Sequence, residues 1–287
     1  NRIYILDECF SIDKKRLVEF CKRISKLKKE ISWELRWINS SKVSDVDEDI
    51  LRMLKESGCD IISYGFESYS LIILKGMKKM ITPEQIDNAI KKTYNAKIAI
   101  QGNFIFGDIA ETKETAYETL NYWKENCEGQ PYLAFIMPFP NSEIYRSCLE
   151  RGIIKDKLEF IKNLEGEFIM KMTDKMTDEE FNQLKEDILK ALAKYNRIVK
   201  PISIKKIKGK RYELEVKCPY CNQIIEYRNF LIKSKLYYLL YVMCKDCSKK
   251  LHIGNSLTVF LYKNYDKAKK LRTMKDKVAG YIRKMKQ

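Results

Sequence analysis

The chain has 287 residues, enough for one large domain and one or two small ones, with no apolar run near the 18 residues a membrane helix needs. No basic, apolar and small-residue leader pattern is present, so a cytoplasmic protein without a membrane partner is the expectation. The net charge of +16 is uneven: residues 1–196 carry 31 Lys and Arg against 33 Asp and Glu, a net of −2, while residues 197–287 carry 24 against 6, a net of +18. The front reads as a balanced globular domain. The tail reads as a surface for an anionic partner such as nucleic acid, or as a lysine-rich solvated face.

Arg2–Leu6 alternates into a short strand that ends at Asp7 and Glu8. It is already under way at Asn1, and the expectation is a protein that starts upstream. Ser11 is placed to cap a helix with Leu17, Phe20, Cys21, Ile24 and Leu27 on one face. Ile31–Ile38 alternates as a strand and carries Arg36. A helix begins at Asp45 or Asp47, presents Ile50, Leu51 and Leu54, and closes on Gly58. Ile61–Ser68 is an apolar strand whose far end presents Gly65, Glu67 and Ser68. Thr82-Pro83-Glu84-Gln85 is a capping box with proline at the first helical position, which predicts a helix over 83–95.

Ile98–Phe106 is the next strand, and Glu111-Thr112 opens a helix bearing Tyr117, Leu120 and Trp123 that stops near Gly129. Tyr132–Met137 is a strand, followed by an Asn141-capped helix ending at Gly152. Residues 153–176 show no period. Thr177-Asp178-Glu179-Glu180 opens a helix through about Val199, and Pro201 marks a boundary. Short strands surround the paired cysteines over 202–258, and a basic helix fills about 262–285.

Strands starting near 3, 31, 61, 98 and 132, each followed by a helix, argue for an α/β fold with a parallel sheet or barrel and right-handed crossovers. Polar groups at the C-terminal strand ends are where such a barrel builds its active site. No G-x-G-x-x-G turn is present, which speaks against a dinucleotide fold. The division this suggests is 1–152 barrel, 153–200 helical extension, 201–260 cysteine-paired β domain and 261–287 basic helix.

Four segments, LDECF at 6–10, GCDIISYGFES at 58–68 with ILKGMKK at 73–79, GNFIFGDIAET at 102–112, and PFPNSEIY at 138–145, resemble the radical S-adenosylmethionine superfamily. The branch they resemble often carries an N-terminal cobalamin-binding domain. Asn141 stands where that branch more often has glycine. The resemblance covers residues 1–152 and implies a partial parallel (β/α) barrel. It also implies a 4Fe–4S cluster on three cysteines in C-x-x-x-C-x-x-C, and cluster-driven cleavage of S-adenosylmethionine to a hydrogen-abstracting radical. With cobalamin, the implied outcome is methyl transfer or rearrangement on a small-molecule or biosynthetic-intermediate substrate, fed by an electron-donor protein. No C-x-x-x-C-x-x-C occurs in the chain, and Cys9, Cys21, Cys59, Cys127 and Cys148 are too dispersed to replace it. The cluster ligands are therefore expected upstream, the chain inactive by itself, and the sheet left with an open edge.

On this resemblance Glu67 and Ser68 would bind S-adenosylmethionine, although a helix-capping pair is the plain reading. Gly65 and Gly102 would let backbone approach it. Arg36 would grip its carboxylate, or pair with Glu34 or an Asp of a neighbouring strand. Asp7 and Glu8 would face substrate, or cap the first helix. Asp108 and Glu111 read as helix-start acids beside the dipole.

Cys218-x-x-Cys221 and Cys244-x-x-Cys247, separated by 22 residues, bring four thiolates to one tetrahedral point that suits a structural Zn2+ ion in a ribbon-like domain. An auxiliary iron–sulfur cluster or a redox dithiol pair are the alternatives. His252 reads as structural. A rival function is a nucleic-acid-binding module, in which the ribbon aromatics Tyr227, Phe230, Tyr237, Tyr238 and Tyr241 and the basic helix do the work on a barrel scaffold.

Overall fold

In a computed structural model, which describes residues 2–7, 9–164 and 169–264, five parallel strands form one sheet in chain order. They are β1 (Arg2–Tyr4), β2 (Arg36–Ser40), β3 (Cys59–Glu67), β4 (Ala99–Phe106) and β5 (Tyr132–Phe135). Helices α1 (Lys14–Glu30), α2 (Glu48–Ser57), α3 (Leu71–Gly76), α4 (Pro83–Asn95) and α5 (Lys113–Asn126) fill the crossovers. Then come α6 (Glu143–Glu150), α7 (Lys157–Asn163) and α8 (Asp178–Tyr195). Two compact units result, Asn1–Ile188 and Leu189–Gln287. No helix among the described residues is long and apolar enough to cross a membrane.

Local chemistry explains most of these bounds. Thr82 and Gln85 close a reciprocal capping box with Pro83 behind it, and α4 starts there. The Asp47 carboxylate accepts the N–H groups of Asp49 and Ile50 to start α2, and Gly58, at φ +100°, ends it in the left-handed conformation. Three expectations shift. Ser11 does not cap α1; Asp13 does, accepting the Arg16 N–H at 3.0 Å. A short 3-10 turn over Phe10–Ile12 buries Ser11 instead and turns its hydroxyl to Asp45. β2 runs from Arg36 to Ser40 rather than from Ile31, because Ile31 still caps α1 by donating its N–H to Leu27. Ser142, not Asn141, caps α6; Asn141 takes φ +73°, a left-handed conformation that asparagine tolerates and glycine favours.

The core of the first unit lies on one face of the sheet. In β3, Ile62, Tyr64 and Phe66 are buried while Ser63, Gly65 and Glu67 are not. In β4 the same alternation buries Ile100, Gly102, Phe104 and Phe106 and leaves Gln101 and Asn103 out. A parallel strand covered on both faces would be apolar at every position, so period-two alternation means that one face stays open. Register aligns the two patterns, with Ser63 beside Gln101, Tyr64 beside Gly102 and Gly65 beside Asn103. On the covered face Phe66 stacks on Phe104 at 5.3 Å, Phe104 meets Tyr122 of α5 edge-on at 6.0 Å, and Tyr64 hydrogen-bonds Thr93 of α4. β1, exposed along its whole length, forms one edge of the sheet.

The second unit holds β6 (Ile198–Val199), β7 (Ser203–Lys208), β8 (Arg211–Lys217), β9 (Ile224–Leu231), β10 (Leu239–Met243), β11 (Lys250–Gly254) and α9 (Ser256–Lys263). β7-β8-β9 is an antiparallel meander, and β10-β11-β6 is a second sheet in which β6 pairs parallel to β11. One core joins them, including Leu214, Val216, Ile225, Leu251 and Ile253 together with Cys218 and Cys244. Tyr262 and Lys263 end α9; the remainder of the expected basic helix lies outside the described residues.

A Cβ at Gly102 would sit 2.3 Å from the Phe66 ring, whereas one at Gly65 would meet only the flexible ends of Glu67 and Lys79. Gly102→Ala should therefore lose about 1–3 kcal/mol of stability as an overpacked core position, and Gly65→Ala clearly less. Denaturant midpoints of the two variants check this, and equal losses would contradict it.

Candidate cofactor site and metal centre

The C-terminal ends of β3, β4 and β5 surround a cavity of about 850 Å3. Ile105, Ile109, Ile136 and Ile144 line it with apolar surface, and Glu67, Lys79 and Lys175 supply charge. Glu67 enters through a break in regularity: the β3–β4 register slips between Gly65 and Glu67, and Glu67 holds φ +59°. Such slips re-aim a side chain at a sheet rim, and a left-handed non-glycine residue costs on the order of 1–3 kcal/mol. The re-aimed carboxylate receives the Lys79 ammonium at 2.8 Å. Gly65 makes room for this pair, since its missing Cβ would lie 2.6 Å from Glu67 Oε1 and 2.8 Å from Lys79 Nζ.

The other expected cofactor residues are not brought here. Arg36 opens β2, at the opposite end of the sheet from the cavity, where its guanidinium binds Glu34 through two 2.9 Å hydrogen bonds and lies 3.8 Å from Asp60. Ser68 is fully buried; its hydroxyl bonds Thr119 of α5 at 2.9 Å and accepts the Ser70 N–H. Gly102 faces the covered side, beneath Phe66. Asp7 takes the Arg16 guanidinium at 2.9 Å and the Cys9 N–H at 3.0 Å. Glu8 lies outside the described residues. Among the described residues of the set, Gly65 and Glu67 meet at the mouth.

In the second unit the four paired cysteines converge, with all Sγ atoms within 4.8 Å of one another. Cys218 and Cys247 lie 3.8 Å apart and Cys221 and Cys244 3.6 Å apart. Cys218–Cys221 turns β8 into β9, and Cys244–Cys247 turns β10 into β11, so one ion here would tie the two sheets together. Knuckle N–H groups point at sulfur, from Tyr220 to Cys218 at 3.5 Å and from Cys247 to Cys244 at 3.4 Å. This is a metal-binding quartet. His252 is a strand residue of β11, edge-on to Tyr241.

No family model matches the chain. An uncharacterized methyltransferase of Pyrococcus horikoshii is 29% identical over 154 residues, 54% of this chain and 33% of that protein. An anaerobic magnesium-protoporphyrin IX monomethyl ester cyclase of Rubrivivax gelatinosus is 27% identical over 154 residues, 53% of this chain and 27% of its own length. Among solved structures, the radical S-adenosylmethionine methyltransferase TsrM of Kitasatospora setae, with cobalamin and a 4Fe–4S cluster, covers 53% of this chain and 29% of its own. The identity there is 16% and the TM-score 0.45. The matched relatives include methyltransferases and ester cyclases. The chain spans about a quarter to a third of the length of the curated relatives it matches.

A radical S-adenosylmethionine cluster needs three cysteines in one place, and the first unit does not offer them. Cys21, Cys59, Cys127 and Cys148 are buried on separate elements, and the quartet is the one group of three or more metal-capable residues among the described residues. The front cysteines therefore do not fit the cluster.

Glu111, expected as a helix-start acid, takes a different place. Thr112 is the N-cap of α5, and Glu111, fully buried, folds back to accept the Gly107 N–H at 2.6 Å, closing the turn after β4. Its Oε1 has no hydrogen-bond partner. Burial pushes its carboxyl up to about 8; the Gly107 N–H opposes this and the nearby Asp108 adds to it. A strap over residues 169–177 covers the same turn: the Thr173 hydroxyl donates to the Glu111 carbonyl at 2.7 Å, and Lys175 reaches the cavity. A carboxyl whose folded pKa is raised stabilises the fold fully below its unfolded pKa, and loses that stability as pH climbs toward 8. Stability against thermal unfolding should thus fall between pH 5 and 8 by up to about a few kcal/mol. Glu111→Gln, which keeps an acceptor for Gly107, should flatten that slope. An unchanged slope would contradict the assignment.

Proposed function

We propose that residues 1–188 are the cofactor-facing side of a radical S-adenosylmethionine barrel within a larger enzyme of the cobalamin-associated kind, and that the quartet holds a structural zinc ion. The observation that carries the first part is the β3 slip. It puts the carboxylate of Glu67 on the open face, at the C-terminal end of a parallel strand, within the segment that resembles the family motif. The groups present suit an adenosyl ligand: Glu67 can accept hydrogen bonds from ribose hydroxyls or an ammonium, Gly65 leaves backbone accessible, and the isoleucines give an apolar wall. S-adenosylmethionine supplies the methyl group or the radical for the reaction when bound with its cluster. The chain's own part is to hold and orient it and to exclude water. Lys79 holds the Glu67 carboxylate in place until a ligand cation or hydroxyl competes for it. Bacteriochlorophyllide methyltransferases and a magnesium-protoporphyrin ester cyclase among the relatives favour a small biosynthetic intermediate as substrate, with an electron-donor protein upstream of the chemistry.

The zinc reading rests on distance. Four bonds of about 2.3 Å to one ion make a tetrahedron with edges near 3.8 Å, and the two measured sulfur pairs are 3.8 and 3.6 Å apart. An iron–sulfur cluster would hold its thiolates further apart. Because the ion would join two sheets that share one core, binding and folding of this unit are linked.

Two measurements test this. In the protein extended to its relatives' length, Glu67→Gln should weaken S-adenosylmethionine binding by roughly tenfold, the value of one charged hydrogen bond, while Ser68→Ala should not. Equal affinity of Glu67→Gln and parent by calorimetry would overturn the site. Elemental analysis should find about one zinc per chain, lost together with thermal stability of the second unit in a Cys218→Ser, Cys221→Ser variant. Iron in place of zinc would overturn the metal assignment.

A further inference from the structure

One end of the second unit gathers cations without an acid among them. Lys206, Lys208, Lys210 and Arg211 surround the β7–β8 turn at Gly209. Antiparallel register brings the end of β9 alongside, with Leu231 opposite Arg211 and the Ile232 N–H bonded to the Lys210 carbonyl at 2.9 Å. Lys233 and Lys235 follow at once, so six cations from two chain segments meet at the sheet end remote from the metal knuckles. The loop that bears the last two is held in shape. Asn255 donates to the carbonyls of Lys235 and Leu236 at 2.8 and 2.6 Å, and Lys235 Nζ rests 5.5 Å over the Tyr212 ring. Lys206 is the direct cross-strand partner of that same tyrosine.

Among the described residues no carboxylate forms an ion pair with these six cations. Residues 202–212 and 229–238 contain no acidic side chain. The acids of the sheet, Glu213, Glu215 and Glu226, sit further along the strands, where Glu213 faces Lys205 across the pair and Glu226 binds Arg228 at 2.8 Å. The same sheet thus alternates charge over its length and segregates it at the tip. Lysines on an exposed edge discourage pairing between copies, but that accounts for β7 alone; Lys233 and Lys235 lie off the edge strand.

We propose that this tip is a docking surface for the sugar–phosphate backbone of nucleic acid. Lys206 pairs with Tyr212 across the strands and Lys235 Nζ lies over its ring, with Lys208, Lys210 and Lys233 close by in the chain. A bulge in the β7–β8 register lies between Lys206 and Lys208, beside the turn at Gly209. The tip offers ammonium groups to phosphates, contacts that carry no sequence information. Of the rings expected to stack on bases, Tyr227 and Tyr238 are core side chains and Phe230 packs against that core, whereas Tyr237 and Tyr241 are exposed. This inference stands apart from the barrel's cofactor site and would survive its failure.

The test uses the whole chain, a fluorescent single-stranded 20-mer in RNA and in DNA form, and vesicles of anionic phospholipid. Both oligonucleotides should bind alike, with a log–log salt slope of roughly −3 if four phosphates are contacted at about −0.7 each. Lys208→Glu, Lys210→Glu and Lys235→Glu together should weaken binding by roughly tenfold or more and flatten the slope by about 2. Lys217→Glu with Lys245→Glu, at the knuckle end, should change affinity little. Retained metal content shows that each variant is folded. The proposal is overturned if the parent binds neither oligonucleotide, if the tip variant binds as the parent does, if the knuckle variant is the one that weakens, or if vesicles alone are bound.

Discussion

The first unit depends on how β3 divides its side chains between two faces. Tyr64 and Phe66 go to the helices, Phe66 over the bare backbone of Gly102 and onto Phe104. That packing locks the register of β3 against β4, and a strand whose register is locked has no choice about its other face. Ser63, Gly65, Gln101 and Asn103 are then committed to the open side, and the slip after Gly65 adds Glu67 at the rim. The polar mouth is the necessary complement of the aromatic layer behind it. Ser68, one residue further on, belongs to that layer and ties β3 to α5 through Thr119.

The second unit solves a different problem. Two three-stranded sheets share one modest core, and their cysteine turns meet at one end. An ion there would fasten the sheets where the core alone is thin, leaving the far end free for a function of its own. The two ends also differ in chemistry: four cysteine sulfurs gather at one, and six cations without an acid at the other.

What could be read from sequence is what local chemistry decides. The Thr82 to Gln85 box set the start of α4, and the cysteine spacing gave the quartet. Asn141 in place of a more usual glycine makes sense once its φ of +73° is seen. What could not be read depends on register and on distant partners. Arg36 could be read as a cofactor grip or as a partner of Glu34 and a neighbouring strand's aspartate; the structure gives the second, and only register shows the aspartate to be Asp60. Gly102 looked like a cofactor glycine, and only pairing with Tyr64 shows that it faces a phenylalanine. Glu111 sits beside a true cap, and nothing local reveals that its carboxyl folds inward. The strap over 169–177 lacks any period, because single side chains such as Met172 and Thr173 hold it rather than a repeating face.

The most direct test is a thiol placed on the open face. Asn103 is exposed and lies beside Gly65 in the β3–β4 register, in the row that leads to Glu67. An Asn103→Cys variant of the protein at its relatives' length should react quickly with a maleimide, and slowly once S-adenosylmethionine is bound. If saturating ligand leaves that rate unchanged, the open face of this sheet is not where the adenosyl cofactor lies.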